Sequence, residues 1–341
     1  WKQRMQRALG VIPARFASTR FRGKPLAPLG DRTMIEHVWR RARSAERLEA
    51  VIVATDDTRI ADHCREFGAD VRMTAADHPS GTDRVAEVAR TWDGAADVVV
   101  NLQGDEPLVT GTALDRLVAS FEDAPRPHLA TLSEPIDSVD ALLDPNVVKV
   151  VTAADGRALY FSRSPIPFLR MPGAATTPDL RAVLADHPDE IARFRKHQGI
   201  YAYRRDVLEQ LTSMPPSALE RAESLEQLRA LEAGLEIRVL SSDFRSIGVD
   251  TPADLERVAA LLAANPVTVF GAMVRVPLEY AAVCVCLLAA FALEHGTLYM
   301  VGDIPILSHV VGAFAYLYCL MVEMRMIGLL YVYRKETLGW F

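Results

Sequence analysis

Four cations crowd the short segment GVIPARFASTRFRGKPL, Gly10 to Leu26: Arg15, Arg20, Arg22 and Lys24, with Ser18, Thr19 and Gly23 among them. Charges of one sign at this density repel one another unless water or an anion lies between them. Two readings follow. One is an exposed, solvated basic loop; the other is a cradle in which cations and backbone N–H groups face a polyphosphate. The segment has neither the Gly-x-x-x-x-Gly-Lys-Ser/Thr spacing of a Walker A loop nor the Gly-x-Gly-x-x-Gly of a dinucleotide fingerprint.

An acidic counterpart stands in NLQGDEP, Asn101 to Pro107, where a valine-rich strand runs out into Gln103, Asp105 and Glu106. Asp105 suits Mg²⁺, which takes oxygen ligands and phosphate partners; the alternative is a turn residue capping the next helix. A third polar cluster, DHPSGTDR (Asp77 to Arg84), supplies Ser80, Thr82 and Arg84 at a loop-to-helix junction. There Thr82 or Asp83 is the alternative helix N-cap, and His78 alone reads as a surface histidine.

These clusters need a scaffold. β-Branched runs at Val51–Asp56, Asp97–Pro107, Val147–Thr152 and Ile237–Asp243 predict strands, and amphipathic patterns at Met34–Leu48, Thr58–Phe67 and Asp83–Thr91 predict helices. Strand and helix in alternation imply a largely parallel sheet covered on both faces. Ligands of such sheets sit beyond the carboxyl ends of the strands. The polar turns after Ile12, Ala54 and Leu102 are therefore the expected site.

The 341-residue chain is long enough for one large domain and something more. Its net charge of -6 argues against a general nucleic-acid binder, which needs a broad basic surface, so any anion site must be local. Cys64, Cys284, Cys286 and Cys319 match neither a disulfide framework nor zinc-ligand spacing. Trp1 to Arg7 is basic, but the apolar run behind it is too short for a signal peptide, so the catalytic part is expected in the cytoplasm.

The composition changes near residue 265. Pro266 to Phe341 holds four Lys plus Arg and five Asp plus Glu, and two long apolar runs, Val276–Leu293 and Ile304–Val322. Each approaches the roughly 20 residues of a membrane helix. Their connection lacks Lys and Arg, whereas Arg275 precedes the first run and Arg325, Arg334 and Lys335 follow the second. The positive-inside rule puts both ends in the cytoplasm, and so the domain before them. The bland alternative is a buried helical hairpin of a soluble dimer, which Glu279 favours. His309 would lie within the second span.

The clusters together say more than each alone. IPARFASTRFRGKPL, ADHPSGTDRVAEV, VVNLQGDEPLV, DPNVVKVV, ALYFSRSPIPF, HQGIYAY, ESLEQLRAL and GVDTPADLERV occur in this order between residues 12 and 258. This series closely resembles the 3-deoxy-manno-octulosonate cytidylyltransferases, or CMP-Kdo synthetases. The resemblance covers the chain to about residue 262 and none of the tail.

It implies an α/β fold of the nucleotide-diphospho-sugar-transferase type, with a mixed, mostly parallel sheet flanked by helices. To this the tail would add a C-terminal hydrophobic helical hairpin, giving a catalytic domain over 1–264 and a hydrophobic region over 265–341 anchored at the inner membrane. The implied reaction joins CTP to the acid sugar Kdo, giving CMP-Kdo and pyrophosphate for lipopolysaccharide or capsule, with Mg²⁺ as cofactor and a homodimer as the assembly. By position, Arg15, Lys24 and more weakly Arg20 match triphosphate ligands. Ser80, Thr82 and Arg84 match a loop contacting nucleotide and sugar, and Gln103 a residue near Kdo and the cytosine pocket. Asp105 and Asp250 match the Mg²⁺ carboxylates. Arg170, His197, Tyr201, Glu226 and Gln227 match the Kdo pocket, where Arg170 and His197 would offer charge-assisted bonds to the sugar carboxylate. The rivals are a cytidylyltransferase for 8-amino-Kdo or a sialic acid, and an inactive membrane-tethered interaction protein.

Overall fold

The first strand, β1 (Ala8–Ala14), is apolar on both faces: Leu9 and Val11 enter one core, and Ala8, Ile12 and Ala14 the other. A strand covered by helices on both sides must be so. The computed structural model describes residues 6–17, 21–170 and 179–264. After β1 come β2 (Pro28–Leu29), β3 (Arg32–Thr33), α1 (Met34–Arg43), β4 (Leu48–Thr55), α2 (Thr58–Glu66), β5 (Asp70–Met73) and α3 (Gly81–Thr91). Then follow β6 (Val98–Asn101), α4 (Gly111–Ala119), β7 (Leu129–Pro135), α5 (Val139–Leu143), β8 (Lys149–Thr152), β9 (Ala158–Ser162) and α6 (Leu180–Asp186). The series closes with β10 (Arg195–Arg204), α7 (Arg205–Ser213), α8 (Ala218–Glu223), α9 (Gln227–Glu232), β11 (Ile237–Ser241) and α10 (Pro252–Ala264).

The main sheet runs β11-β7-β10-β6-β1-β4-β5, with β8 and β9 attached to β10, and β2 and β3 form a separate ribbon. Neighbours β6, β1, β4 and β5 are parallel, as are β11 and β7, whereas β10 opposes both β6 and β7. The expected mixed, mostly parallel sheet is present. Strand order reverses at β1, which leads on to β4 on one side and meets β6 on the other, and ligands of open α/β sheets sit at such a switch point.

One face packs against α1, α2 and α4 through Ile35, Val38, Ile60, Leu114 and Leu117. The other packs against α3, α7 and α9 through Val85, Val88, Leu208 and Leu228. Residues through Val258 make one compact unit.

Local differences from the expected elements have identifiable causes. The helix expected over Met34–Leu48 ends at Arg43, because the Asp115 carboxylate accepts from the backbone N–H groups of Glu46 and Arg47 at 3.1 and 2.7 Å and turns the chain into β4. The strand expected over Asp97–Pro107 stops at Asn101, leaving Leu102–Pro107 as the turn that carries Gln103 and Asp105. The two apolar runs at 276–293 and 304–322, with His309, lie outside the described residues. Among the described residues no helix is long and apolar enough to cross a membrane.

Candidate functional site

The basic run begins where β1 ends, at the switch point. Arg15 Nη2 donates to the His78 carbonyl at 2.6 Å, tying the run to the Asp77–Arg84 loop. The run folds back on itself: Gly23 N–H donates to the Phe16 carbonyl at 2.9 Å. Gly23 takes φ 72°, a conformation that favours glycine, and a Cβ there would stand a tight 3.2 Å from the Phe16 ring. The Arg59 guanidinium covers the same ring, 3.4 Å from its centroid, while Asp57 grips Arg59 through Nε and Nη2 at 2.9 and 2.6 Å. The two ends of the run are thus held together over a packed Phe16 ring. Arg20 lies outside the described residues.

Lys24 ends the run and joins two distant carboxylates. Its Nζ donates to Asp105 Oδ2 at 2.7 Å and to Asp250 Oδ1 at 3.3 Å. Burial opposes the Lys24 charge, but Asp105 and then Asp250 outweigh it and hold its pKa above the ordinary value. The two aspartates meet because Val249 N–H donates to the Asp105 carbonyl at 3.0 Å, which stitches the end of the 242–250 segment onto the turn after β6. An ammonium between two carboxylates marks a place built for positive charge. Hard carboxylate oxygens fit Mg²⁺, and among the described residues no third His, Cys, Asp or Glu joins them. A metal there would draw its other ligands from water and phosphate oxygens, as Mg²⁺ commonly does.

On the α3 side, Ser80 is the N-cap, rather than the expected Thr82 or Asp83. Its Oγ accepts from Asp83 N–H at 3.2 Å and Asp83 Oδ2 accepts from Ser80 N–H at 3.1 Å, a complete capping box. Arg84 is wholly buried, with Nη2 3.3 Å from Asp56 Oδ1 and Nη1 donating to Thr74 Oγ1. Burial lowers its pKa, with Asp56 opposing and neighbouring Arg15 reinforcing the shift. Among the described residues Arg84 Nε meets no acceptor, and Nη2 has only its 3.3 Å ion pair with Asp56. Two close guanidiniums with donors to spare are what an anion site needs.

Thr82 opens the second half of the site. It is buried, and its hydroxyl lies beside the Glu226 carboxylate and the Tyr203 phenol, where it works against the burial-driven rise of both pKa values; Asn101 Nδ2 donates to its Oγ1 at 3.5 Å. One threonine thus touches groups from β6, β10 and the start of α9. Burial raises the Glu226 pKa. Tyr201, opposite Asn101 in the β10–β6 register, stacks on Tyr203 at 5.7 Å, and its buried hydroxyl has no hydrogen-bond partner among the described residues. Gln103 passes over Gly199, whose added Cβ would meet Gln103 Cγ at 3.7 Å. Gln227 is buried at the first position of α9.

His197 departs from its expected role. Its ring packs against Phe161 and Tyr201 at centroid distances of 5.0 and 5.3 Å, and its Nε2 lies 3.1 Å from Thr131 Oγ1. Thr131 Oγ1 is also within 3.0 and 2.8 Å of the Gln198 and Ile200 carbonyls. Burial, with Lys196 adding to it, pushes the His197 pKa down to about 3. The imidazole is therefore neutral, whereas the sequence leads us to expect a charge-assisted bond from it to the sugar carboxylate. Arg170 is exposed, and among the described residues no hydrogen bond or ion pair joins it to this cluster.

With this geometry in hand, comparison with known proteins is decisive. A family model described as Cytidylyltransferase matches residues 9–237. A 3-deoxy-manno-octulosonate cytidylyltransferase of Solibacter usitatus is 49% identical over 260 residues, 76% of this chain and 96% of the relative. One of Geobacter sulfurreducens is 50% identical over 250 residues, 73% of this chain and 96% of the relative. The chain belongs to the 3-deoxy-manno-octulosonate cytidylyltransferase family.

A solved structure of CMP:2-keto-3-deoxy-manno-octonic acid synthetase complexed with CTP superposes with a TM-score of 0.66 at 44% identity, covering 76% of this chain and 99% of that one. The cytidylyltransferase also holds two groups, Asn101 and Glu106, whose place at the end of the strand is legible in the sequence but to which the sequence reading gives no role. Beside Thr82, the buried Asn101 Oδ1 has no hydrogen-bond partner among the described residues. Glu106 is buried behind Asp105, and burial first, then the Asp105 charge, pushes its pKa up to about 7. The polar ends of VVVN and GDEP were visible signals, but which of their side chains turn inward was not.

Proposed function

We propose that this cytidylyltransferase transfers CMP from CTP to the anomeric hydroxyl of Kdo and releases pyrophosphate. The observation that carries the reading is Lys24 Nζ bridging Asp105 and Asp250 at the mouth of a basic loop, in a chain 44% identical to a synthetase solved with CTP. The hydroxyl oxygen forms a bond to the α-phosphorus as the bond to pyrophosphate breaks. Such transfers gain chiefly from positioning and charge neutralisation, so cations matter more than a covalent nucleophile.

Each residue has a task in this scheme. Arg15 and Arg84 present guanidinium donors to the triphosphate, and Lys24 has a third N–H beyond the two given to Asp105 and Asp250. Ser80 shapes the loop that carries both nucleotide and sugar contacts. Asp105 and Asp250 would hold Mg²⁺, which when bound neutralises phosphate charge and eases deprotonation of a hydroxyl. Tyr201, Glu226, Gln227 and Gln103 bind sugar hydroxyls, with Thr82 orienting Glu226. His197 acts as a neutral hydrogen-bonding wall, which leaves the sugar carboxylate to Arg170. The remaining elements rest on sequence and family resemblance alone: Arg20 as a phosphate ligand, the homodimer, the lipopolysaccharide or capsule pathway, the catalytic domain over 1–264 in the cytoplasm, and the 265–341 region as its membrane anchor.

Incubation of the purified protein with CTP, Mg²⁺ and Kdo, with pyrophosphate and CMP-sugar measured, tests the reaction. Pyrophosphate release with Kdo, and at least tenfold less with a sialic acid, is the expected result. Release with a sialic acid and none with Kdo would overturn it.

A further inference from the structure

Asp250 is delivered to Asp105 by the segment from Ser242 to Val249, which follows β11 and contributes no strand or helix. Its anchor is buried. Ser246 is 4% exposed, and its Oγ lies 2.7 and 2.8 Å from the two carboxylate oxygens of Glu106. The Ser246 N–H donates to the Glu134 carboxylate, 3.3 and 3.2 Å from its two oxygens, and the Ser246 carbonyl accepts from Lys196 Nζ at 2.6 Å. Lys196 closes the network with a 3.1 Å ion pair to Glu134 Oε1. Every polar group of one serine is engaged, by side chains from β7, β10 and the turn after β6.

Two buried carboxylates beside a single lysine are costly unless their hydrogen bonds are well made. Their placement follows the site. Glu106 is the neighbour of Asp105, and Ser246 stands four residues before Asp250, so the Ser246–Glu106 hydrogen bond couples the two arms that present the carboxylates. Val249 N–H, bonded to the Asp105 carbonyl, completes the couple. We propose that Ser246, seated on Glu106, Glu134 and Lys196, is a positioning residue that holds Asp250 against Asp105 and thereby sets the affinity of the site for a divalent cation. The proposal rests on the metal role of Asp105 and Asp250 given above.

Mn²⁺ provides the probe. Its half-saturating concentration is read from water-proton relaxation at fixed CTP, and separately from pyrophosphate release, in the full-length protein and in Ser246→Ala, Ser246→Cys and Asp250→Asn. Cysteine keeps the serine's shape with a far weaker donor, so it carries the test if the alanine variant fails to fold. Partners behind metal ligands commonly change affinity ~10- to 100-fold. Both Ser246 variants should therefore raise the half-saturating Mn²⁺ at least tenfold, with turnover at saturating metal within about threefold of the parent. A purely structural serine would lower the melting temperature and leave the Mn²⁺ titration in place; that result, with Asp250→Asn shifted, overturns the positioning role alone. An unshifted Asp250→Asn overturns the metal reading and this proposal with it.

Discussion

Lys24 Nζ stands 2.7 Å from Asp105 Oδ2 and, on its other side, 3.3 Å from Asp250 Oδ1. The last cation of the basic run thus closes against carboxylates from two remote parts of the chain. Removing it strips the triphosphate of a donor and leaves the two carboxylates to repel each other. Lys24→Met is expected to lower kcat/KM for CTP by about 10²- to 10³-fold, the scale of losing one preorganised charged donor. Steady-state kinetics against CTP and Kdo separately check this; an equal rise in both KM values with unchanged kcat would contradict it.

Tyr201 separates binding from stability. Its hydroxyl is buried without a hydrogen-bond partner among the described residues, so Tyr201→Phe removes an unsatisfied group and should leave the melting temperature unchanged or raised. The same change should raise KM for Kdo about tenfold, the scale of one hydrogen bond to a sugar hydroxyl. A marked loss of thermal stability with normal Kdo saturation would show that the phenol serves the fold.

His197 makes the fold sensitive to acid. Its pKa falls from 6.5 to about 3 on folding because burial, helped by Lys196, disfavours the imidazolium. The unfolded chain takes up the proton below pH 6.5 and the folded one does not, so this contribution is complete above pH 6.5 and is lost as pH falls towards 3. Urea unfolding of the parent and of His197→Asn at pH 7.5 and pH 4 checks it. The stability difference between them should shrink by about 3 kcal/mol at the lower pH; a pH-independent difference would mean that His197 titrates normally.

Arg163 bears on the sugar pocket from a distance. Its Nε, Nη2 and Nη1 donate to the carbonyls of Glu223, Ser224 and Pro145 at 2.6, 3.2 and 2.8 Å, clamping the left-handed turn at Ser224 (φ 52°) that leads into Glu226. Arg163→Ala should raise KM for Kdo tenfold or more and change KM for CTP less than threefold. Parallel shifts in both, from the same kinetic experiment, would assign the clamp to general stability.

The scaffold was legible because its signals are local. Valine-rich runs and 3.6-residue periodicity place β4, β6, α2 and α3, and the polar turns after β1 and β6 do face each other across the switch point. What escaped depended on distant partners. No pattern within Met34–Leu48 announces that Asp115 will take the N–H groups of Glu46 and Arg47. The HQGIYAY motif displays a histidine but hides its burial, and burial alone makes His197 neutral. Likewise Thr82 looked like a helix cap, yet its contacts with Asn101, Tyr203 and Glu226 come from three other elements.

The most direct test of the central claim is pyrophosphate release from CTP and Kdo by Asp250→Asn across a Mg²⁺ titration, with folding verified by thermal melting. Loss of about 10³-fold in turnover at every Mg²⁺ concentration, in a protein that melts like the parent, is the expected result for a charge acting at the transition state. Turnover within tenfold of the parent at the parent's own Mg²⁺ requirement would show that Asp250, although it meets Asp105 across Lys24, takes no part in the reaction.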